Sequence, residues 1–247
     1  MSGKIVCFWG SPGSGKTITA LAVAAALAHK KKNVTVFSGD KLTPALKIYL
    51  PTVDINAQKS IGPLLMSNRY EDAELAARMI PHPYSEHICF SGMAPGDNYI
   101  TYQAFSRESV VRLANKFAGF SDYVLIDGLT NPLEDTMTLA MLELADVVVR
   151  SMTPDGKGVM YAEANKVIYR DPKFRYDEHI TVLGNVREVS PYAETIAIMG
   201  NFDFVLEYAY EAEDKMNAGE LLMDFSRSKG VKFEKTIGKL TERIEKI

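Results

Sequence analysis

The chain has 247 residues, 47% hydrophobic and 24% charged, with 28 basic against 31 acidic side chains for a net charge of -3. This length suits one large α/β domain, expected over residues 1–247, with a core that covers most of its apolar surface. The charge balance excludes nucleic-acid binding driven by bulk charge and leaves room only for a local basic patch. The longest apolar run, 20–28, has nine residues, well short of the roughly 20 that a spanning helix needs. The N-terminus lacks the apolar stretch of a signal peptide, so a cytoplasmic location is expected. Cys7 and Cys89 are too few and too scattered for a disulfide framework or a zinc cluster.

Short apolar runs at 4–9, 34–37, 87–90, 123–126, 147–149, 180–183 and 204–206 read as strands. Helical patterns separate them near 16–30, 70–80, 107–118, 133–144, 157–169 and 190–199. Val- and Ile-rich strands alternating with helices imply right-handed crossovers, hence a doubly wound, mainly parallel sheet covered on both faces. Residues 41–68 read as loop with short helical pieces.

Gly10-Ser11-Pro12-Gly13-Ser14-Gly15-Lys16-Thr17 fits G-x-x-x-x-G-K-[ST] between an apolar strand and a helix, the context required of a phosphate-binding loop. Glycines let the backbone N–H groups turn inward at the positive end of the helix. Lys16 would then neutralise the β- and γ-phosphates of ATP, and Thr17 would offer its hydroxyl to Mg²⁺, which prefers oxygen ligands. The loop also resembles that of AAA+ ATPases. Those carry Asp-Glu at the end of a later strand, whereas here Asp127 is followed by Gly128.

Asp127 ends the predicted strand 123–126, at the sheet edge where ligands of open α/β folds gather; a turn aspartate before glycine is the alternative. Asp40 follows the strand 34–37 and can return to the same edge, to hold the hydrolytic or a metal-bound water. Read locally, it is equally a turn aspartate after Gly39. Lys16, Asp40 and Asp127 are the candidate catalytic residues, and Thr17, Asp40 and Asp127 the candidate metal ligands.

Together, "KIVCFWGSPGSGKTITALAVAAALAHKKKNVTVFSGD" and "FSDYVLIDGLTNPLEDTMTLAMLELADVVVRSMTPD" resemble the ParA/MinD superfamily of P-loop ATPases over nearly the whole chain. The resemblance puts Asp40 on the second aspartate of the family's D-x-D, with Ser38 replacing the first. It nominates Asn185 in "VLGNVREVS" for adenine recognition, a position that reads locally as a turn residue. The eight loop residues, Ile18, Asn185 and Arg187 form the expected nucleotide-binding set. The resemblance further implies an ATP-dependent homodimer, and protein partners within a larger pilus, secretion or partition machine.

Position 11 in ParA and MinD proteins carries a signature lysine that reaches the partner's nucleotide; here it is Ser11. Members without that lysine include the CpaE/TadZ type, which this chain resembles most. A hydroxyl gives one neutral hydrogen bond in place of a charge-assisted one, so slow hydrolysis is expected unless Arg187 or Arg150 substitutes. A non-hydrolysing scaffold and an ATP-dependent ligase of the same fold remain the alternatives. The nitrogenase iron protein, which needs two cluster cysteines near the Asp127 strand and the strand after it, is nearly excluded, since no cysteine lies beyond Cys89.

At the C-terminal end, apolar residues at 233, 237, 240, 244 and 247 describe an amphipathic helix at about 233–247. Its basic residues allow a membrane-surface role as in MinD. Glu234, Glu242 and Glu245 on the polar side favour packing on the chain's own domain or on a partner. His29, His82, His87 and His179 show no metal-ligand spacing.

Overall fold

The computed structural model describes residues 2–67, 69–133, 135–166 and 170–247. Among these, strands β1 (Lys4–Gly10), β2 (Val34–Ser38), β3 (Ile80–His82), β4 (Ser85–Gly92), β5 (Tyr123–Asp127), β6 (Val147–Met152), β7 (Ile180–Val186) and β8 (Phe204–Glu207) form a single sheet. The order is β3-β4-β2-β5-β1-β6-β7-β8. Every neighbouring pair is parallel except β3 and β4. The helices are α1 (Lys16–His29), α2 (Leu46–Tyr49), α3 (Gly62–Ser67), α4 (Asp72–Ala76) and α5 (Arg107–Phe120). They continue with α6 (Thr136–Leu144), α7 (Gly156–Ala164), α8 (Tyr192–Met199), α9 (Tyr210–Ala218) and α10 (Ser228–Lys246).

Successive side chains of a strand point to opposite faces, and the central strand β1 serves two cores in this way. Val6 and Phe8 enter one with Val23 and Leu27 of α1, Phe233 and Leu240 of α10 and Val36 of β2. Ile5, Cys7 and Trp9 enter the other with Leu113 and Phe117 of α5 and Met141 of α6. Strands buried on both faces need continuous apolar runs, which explains why the sequence shows runs here rather than alternation.

The doubly wound architecture holds, and its departures from expectation have local causes. β3 is a three-residue edge strand containing Pro81, tolerated there because an edge position does not require that ladder N–H. The helix expected over 70–80 therefore contracts to α4, opened by reciprocal Glu71 and Glu74 capping bonds. α6 begins at Thr136 rather than 133 because the Asp135 carboxylate accepts from the N–H groups of Met137 and Thr138. The end of the helix expected over 157–169 lies outside the described residues.

The C-terminal helix starts five residues before its expected position, at Ser228. Phe233, Ile237, Leu240 and Ile244 are all buried, at 5% exposure or less, within the α1 core. Burial of such side chains is worth about 1.5–3 kcal/mol each. Lys4 Nζ donates to the carbonyls of Ile244 and Glu245 at 3.0 and 3.2 Å, and Lys30 pairs with Glu245 at 2.5 Å. Four of the five stripe residues are thus spent inside the fold, and Ile247 stays exposed. No helix among the described residues is long and apolar enough to cross a membrane.

Candidate functional site

β1 delivers the loop of residues 10–17 to the carboxyl edge of the sheet. Gly10, at φ +141°, lies so close to β6 that a Cβ would sit 1.8 Å from the Ser151 carbonyl oxygen, so only glycine fits. The loop then rises into α1, whose N-cap Gly15 has φ 78° and offers no side-chain cap. Asn185 at the end of β7 bonds back to the loop, its Nδ2 donating to the Gly13 carbonyl at 2.9 Å. Gly184 beside it permits that approach, because a Cβ there would lie 2.1 Å from the Ser14 carbonyl oxygen.

Lys16, Thr17, Asp40 and Asp127 converge on one cleft of about 510 Å³, which Thr130 and Asp135 also line. Lys16 Nζ donates to the carbonyls of Gly10 and Ser11 at 3.2 and 3.1 Å and to Thr130 Oγ1 at 3.0 Å. Burial pulls its pKa below the usual lysine range, against the nearby Asp127 and Asp40 charges. Thr17 Oγ1 donates to Asp127 Oδ2 at 2.8 Å, and the Tyr49 hydroxyl donates to the same oxygen at 2.6 Å. Burial raises the Asp127 carboxyl; those two hydrogen bonds and the Lys16 charge oppose the rise. Asp40 Oδ1 accepts from the backbone N–H groups of Leu42 and Thr43 at 2.7 and 2.9 Å, an Asx turn at the cleft rim.

Ser11 is turned inward. It is fully buried, its N–H donates to the Ser151 carbonyl at 3.0 Å, and its Oγ accepts from the Thr153 N–H at 2.9 Å. The hydroxyl braces the loop against the end of β6 and does not project from the surface. Arg150 is buried with its guanidinium 3.5 Å from the Tyr176 ring centroid, and it does not line the cleft. Arg187 stacks over Tyr208 at 4.1 Å. Tyr208, Asn185, Ile18 and Gly15 line a second, smaller pocket of about 60 Å³ on the other side of the loop. Pro12 and Gly13 form the exposed tip of the loop, and Ser14 is buried with its hydroxyl on the Ser11 carbonyl at 2.8 Å.

Sequence reasoning missed four side chains of this site. Tyr49 lies in a segment without periodic pattern, and its bond to Asp127 spans 78 residues. Thr130, which holds Lys16, and Thr153, which holds Ser11, are ordinary loop threonines with no motif around them. Asp135 carried a usable signal, an aspartate placed to cap a predicted helix.

Two observations test the fit to a nucleotide and a divalent cation. The N-terminus of α1 has neither a side-chain cap nor an acidic residue in its first turn, so its N–H groups and Lys16 present a positive end suited to phosphate. Among the described residues, no group of three or more His, Cys, Asp and Glu side chains could hold a metal alone. Thr17 and Asp127 nevertheless pair a hydroxyl with a carboxylate, the oxygen donors Mg²⁺ takes when phosphates and waters complete its shell. The residues fit both groups: the loop and Lys16 would hold the phosphates, and Thr17 and Asp127 the cation.

No family model matches the sequence, and no curated protein does. Solved structures do match the fold. A ParA family ATPase from Chlorobium tepidum aligns over 98% of both chains with a TM-score of 0.77 at 17% identity. The septum site-determining protein MinD of Pyrococcus horikoshii, solved with Mg-ADP, aligns over 98% of this chain and 96% of its own, with a TM-score of 0.71 at 16% identity. A Cyanothece McdA variant in complex with ATP aligns over 100% and 98%, with a TM-score of 0.73 at 14% identity. The chain thus has the α/β P-loop fold of these ATPases.

Proposed function

We propose that the chain is a ParA/MinD-like P-loop ATPase that binds ATP and Mg²⁺ and acts as a nucleotide-dependent switch in positioning or assembling a larger machine. The observation that carries this reading is the convergence of Lys16, Thr17, Asp40 and Asp127 on one cleft at an uncapped helix N-terminus. Bound Mg²⁺ would neutralise phosphate charge. Lys16 would hold the β- and γ-phosphates, Thr17 and Asp127 would hold the cation, and Asp40 would receive the attacking water. ATP would favour a homodimer, whose altered surface protein partners of the assembly would read.

Hydrolysis is slow in this reading. Ser11 offers no charge at position 11, and its hydroxyl is engaged with Thr153. Losing one preorganised donor to transition-state charge costs about 2.7–4 kcal/mol. This feature supports kinship with the CpaE/TadZ type. A second reading, a nucleotide-binding scaffold without turnover, is favoured by the Asp40 carboxylate, which is already engaged by the Leu42 and Thr43 N–H groups.

Light scattering on a size-exclusion column, with and without ATP and Mg²⁺, tests the switch, together with phosphate release by the wild type and Asp40→Ala over hours. A switch gives ATP-dependent dimer and a slow release that Asp40→Ala abolishes. Identical profiles with and without nucleotide contradict it, and no release from either protein favours the scaffold.

A further inference from the structure

Tyr49 is absent from every motif of the chain, yet it touches the carboxylate at the centre of the site. It ends α2, is 3% exposed, and packs its ring on Phe90 with centroids 5.3 Å apart. Its hydroxyl and that of Thr17 both donate to Asp127 Oδ2, at 2.6 and 2.8 Å. No hydrogen bond from the described residues reaches Asp127 Oδ1. A carboxylate held by one donor turns about its Cβ–Cγ bond; two donors from opposite elements, α1 and α2, fix its plane. One oxygen is thereby held by both donors, in a residue that lines the cleft.

Ser38 ends β2 and lines the same cleft, its Oγ accepting from the Asp40 N–H at 3.4 Å.

We propose that Tyr49 is the positioning residue for Asp127, setting the orientation in which that carboxylate meets a divalent cation beside Thr17. The proposal rests on the nucleotide and Mg²⁺ reading of the site. Groups that hold a metal-binding carboxylate in place typically change metal affinity by about 10–100-fold when removed. Tyr49→Phe deletes one oxygen and keeps the ring on Phe90.

The test is fluorescence titration of the full chain with N-methylanthraniloyl-ATP across a Mn²⁺ series, alongside thermal melts. In Tyr49→Phe the Mn²⁺ concentration for half-maximal enhancement of nucleotide binding rises about tenfold, while metal-free nucleotide affinity stays within about twofold. Tyr49→Met, which fills the space with a flexible apolar side chain and no donor, shifts the Mn²⁺ midpoint the same way, and supplies the result should Tyr49→Phe fail to fold. A wild-type midpoint in the folded variants overturns the proposal. So does a shift matched by an equal loss of metal-free affinity, which marks a merely structural bond. Were the wild type itself to bind nucleotide without any Mn²⁺ dependence, the metal reading would fail and take this proposal with it.

Discussion

The phosphate loop and the segment from Asp40 to Leu50 face each other across the same cleft but are built on different principles. The loop is clamped mainly by backbone. Gly10 abuts the Ser151 carbonyl and the Ser11 N–H donates to that carbonyl, with the Asn185 side chain adding a bond to the Gly13 carbonyl from β7. The segment opposite is tied mainly through side chains: Asp40 in its Asx turn, Lys41 Nζ on the Gln103 carbonyl at 2.9 Å, and Tyr49 on Asp127. Backbone clamps hold one geometry, whereas side-chain ties exchange partners at a cost of about 1–2 kcal/mol each. A rigid seat facing a re-tieable wall is the arrangement a ligand-dependent switch needs.

The largest effect is expected from breaking the clamp. Gly10→Ala forces a Cβ to within 1.8 Å of the Ser151 oxygen at a φ of +141°. It should lower stability by at least about 3 kcal/mol, seen in chemical denaturation as an early midpoint with unchanged slope. A near-native midpoint would show that the loop yields, and the contrast with the 40–50 wall would disappear.

A smaller effect sharpens the same contrast. Ser11→Ala removes the Thr153 bond and should cost about 1 kcal/mol, a fall in melting temperature of about 2–4 °C. ATP affinity should remain within about twofold by calorimetry, because the hydroxyl faces away from the cleft. A tenfold loss of affinity would mean that Ser11 reaches the nucleotide after all.

The same division explains what could be read from the chain. The clamped side was legible because its contacts come from a contiguous motif between a strand and a helix, with glycines whose purpose is local. Asp127 and Asp40 were legible because strand ends in a doubly wound sheet share an edge. Tyr49, Thr130 and Thr153 were not, since their partners lie 78, 114 and 142 residues away and nothing in their neighbours constrains them. The inward turn of Ser11 was hidden for that reason too. The resemblance supplied the residue type expected at position 11, but the direction of the hydroxyl depends on Thr153 at the end of β6. β3 escaped because three residues carry no period.

That residues 10–17 form a preorganised seat for the phosphates of a nucleotide is tested most directly by titration calorimetry of ATP, with Mg²⁺, into the wild type and Lys16→Ala. The wild type should bind with one site per chain. Lys16→Ala, which removes the ammonium held between the Gly10 and Ser11 carbonyls and Thr130, should bind about 100-fold more weakly while still melting in one cooperative transition. Equal affinity in the two proteins would contradict the seat.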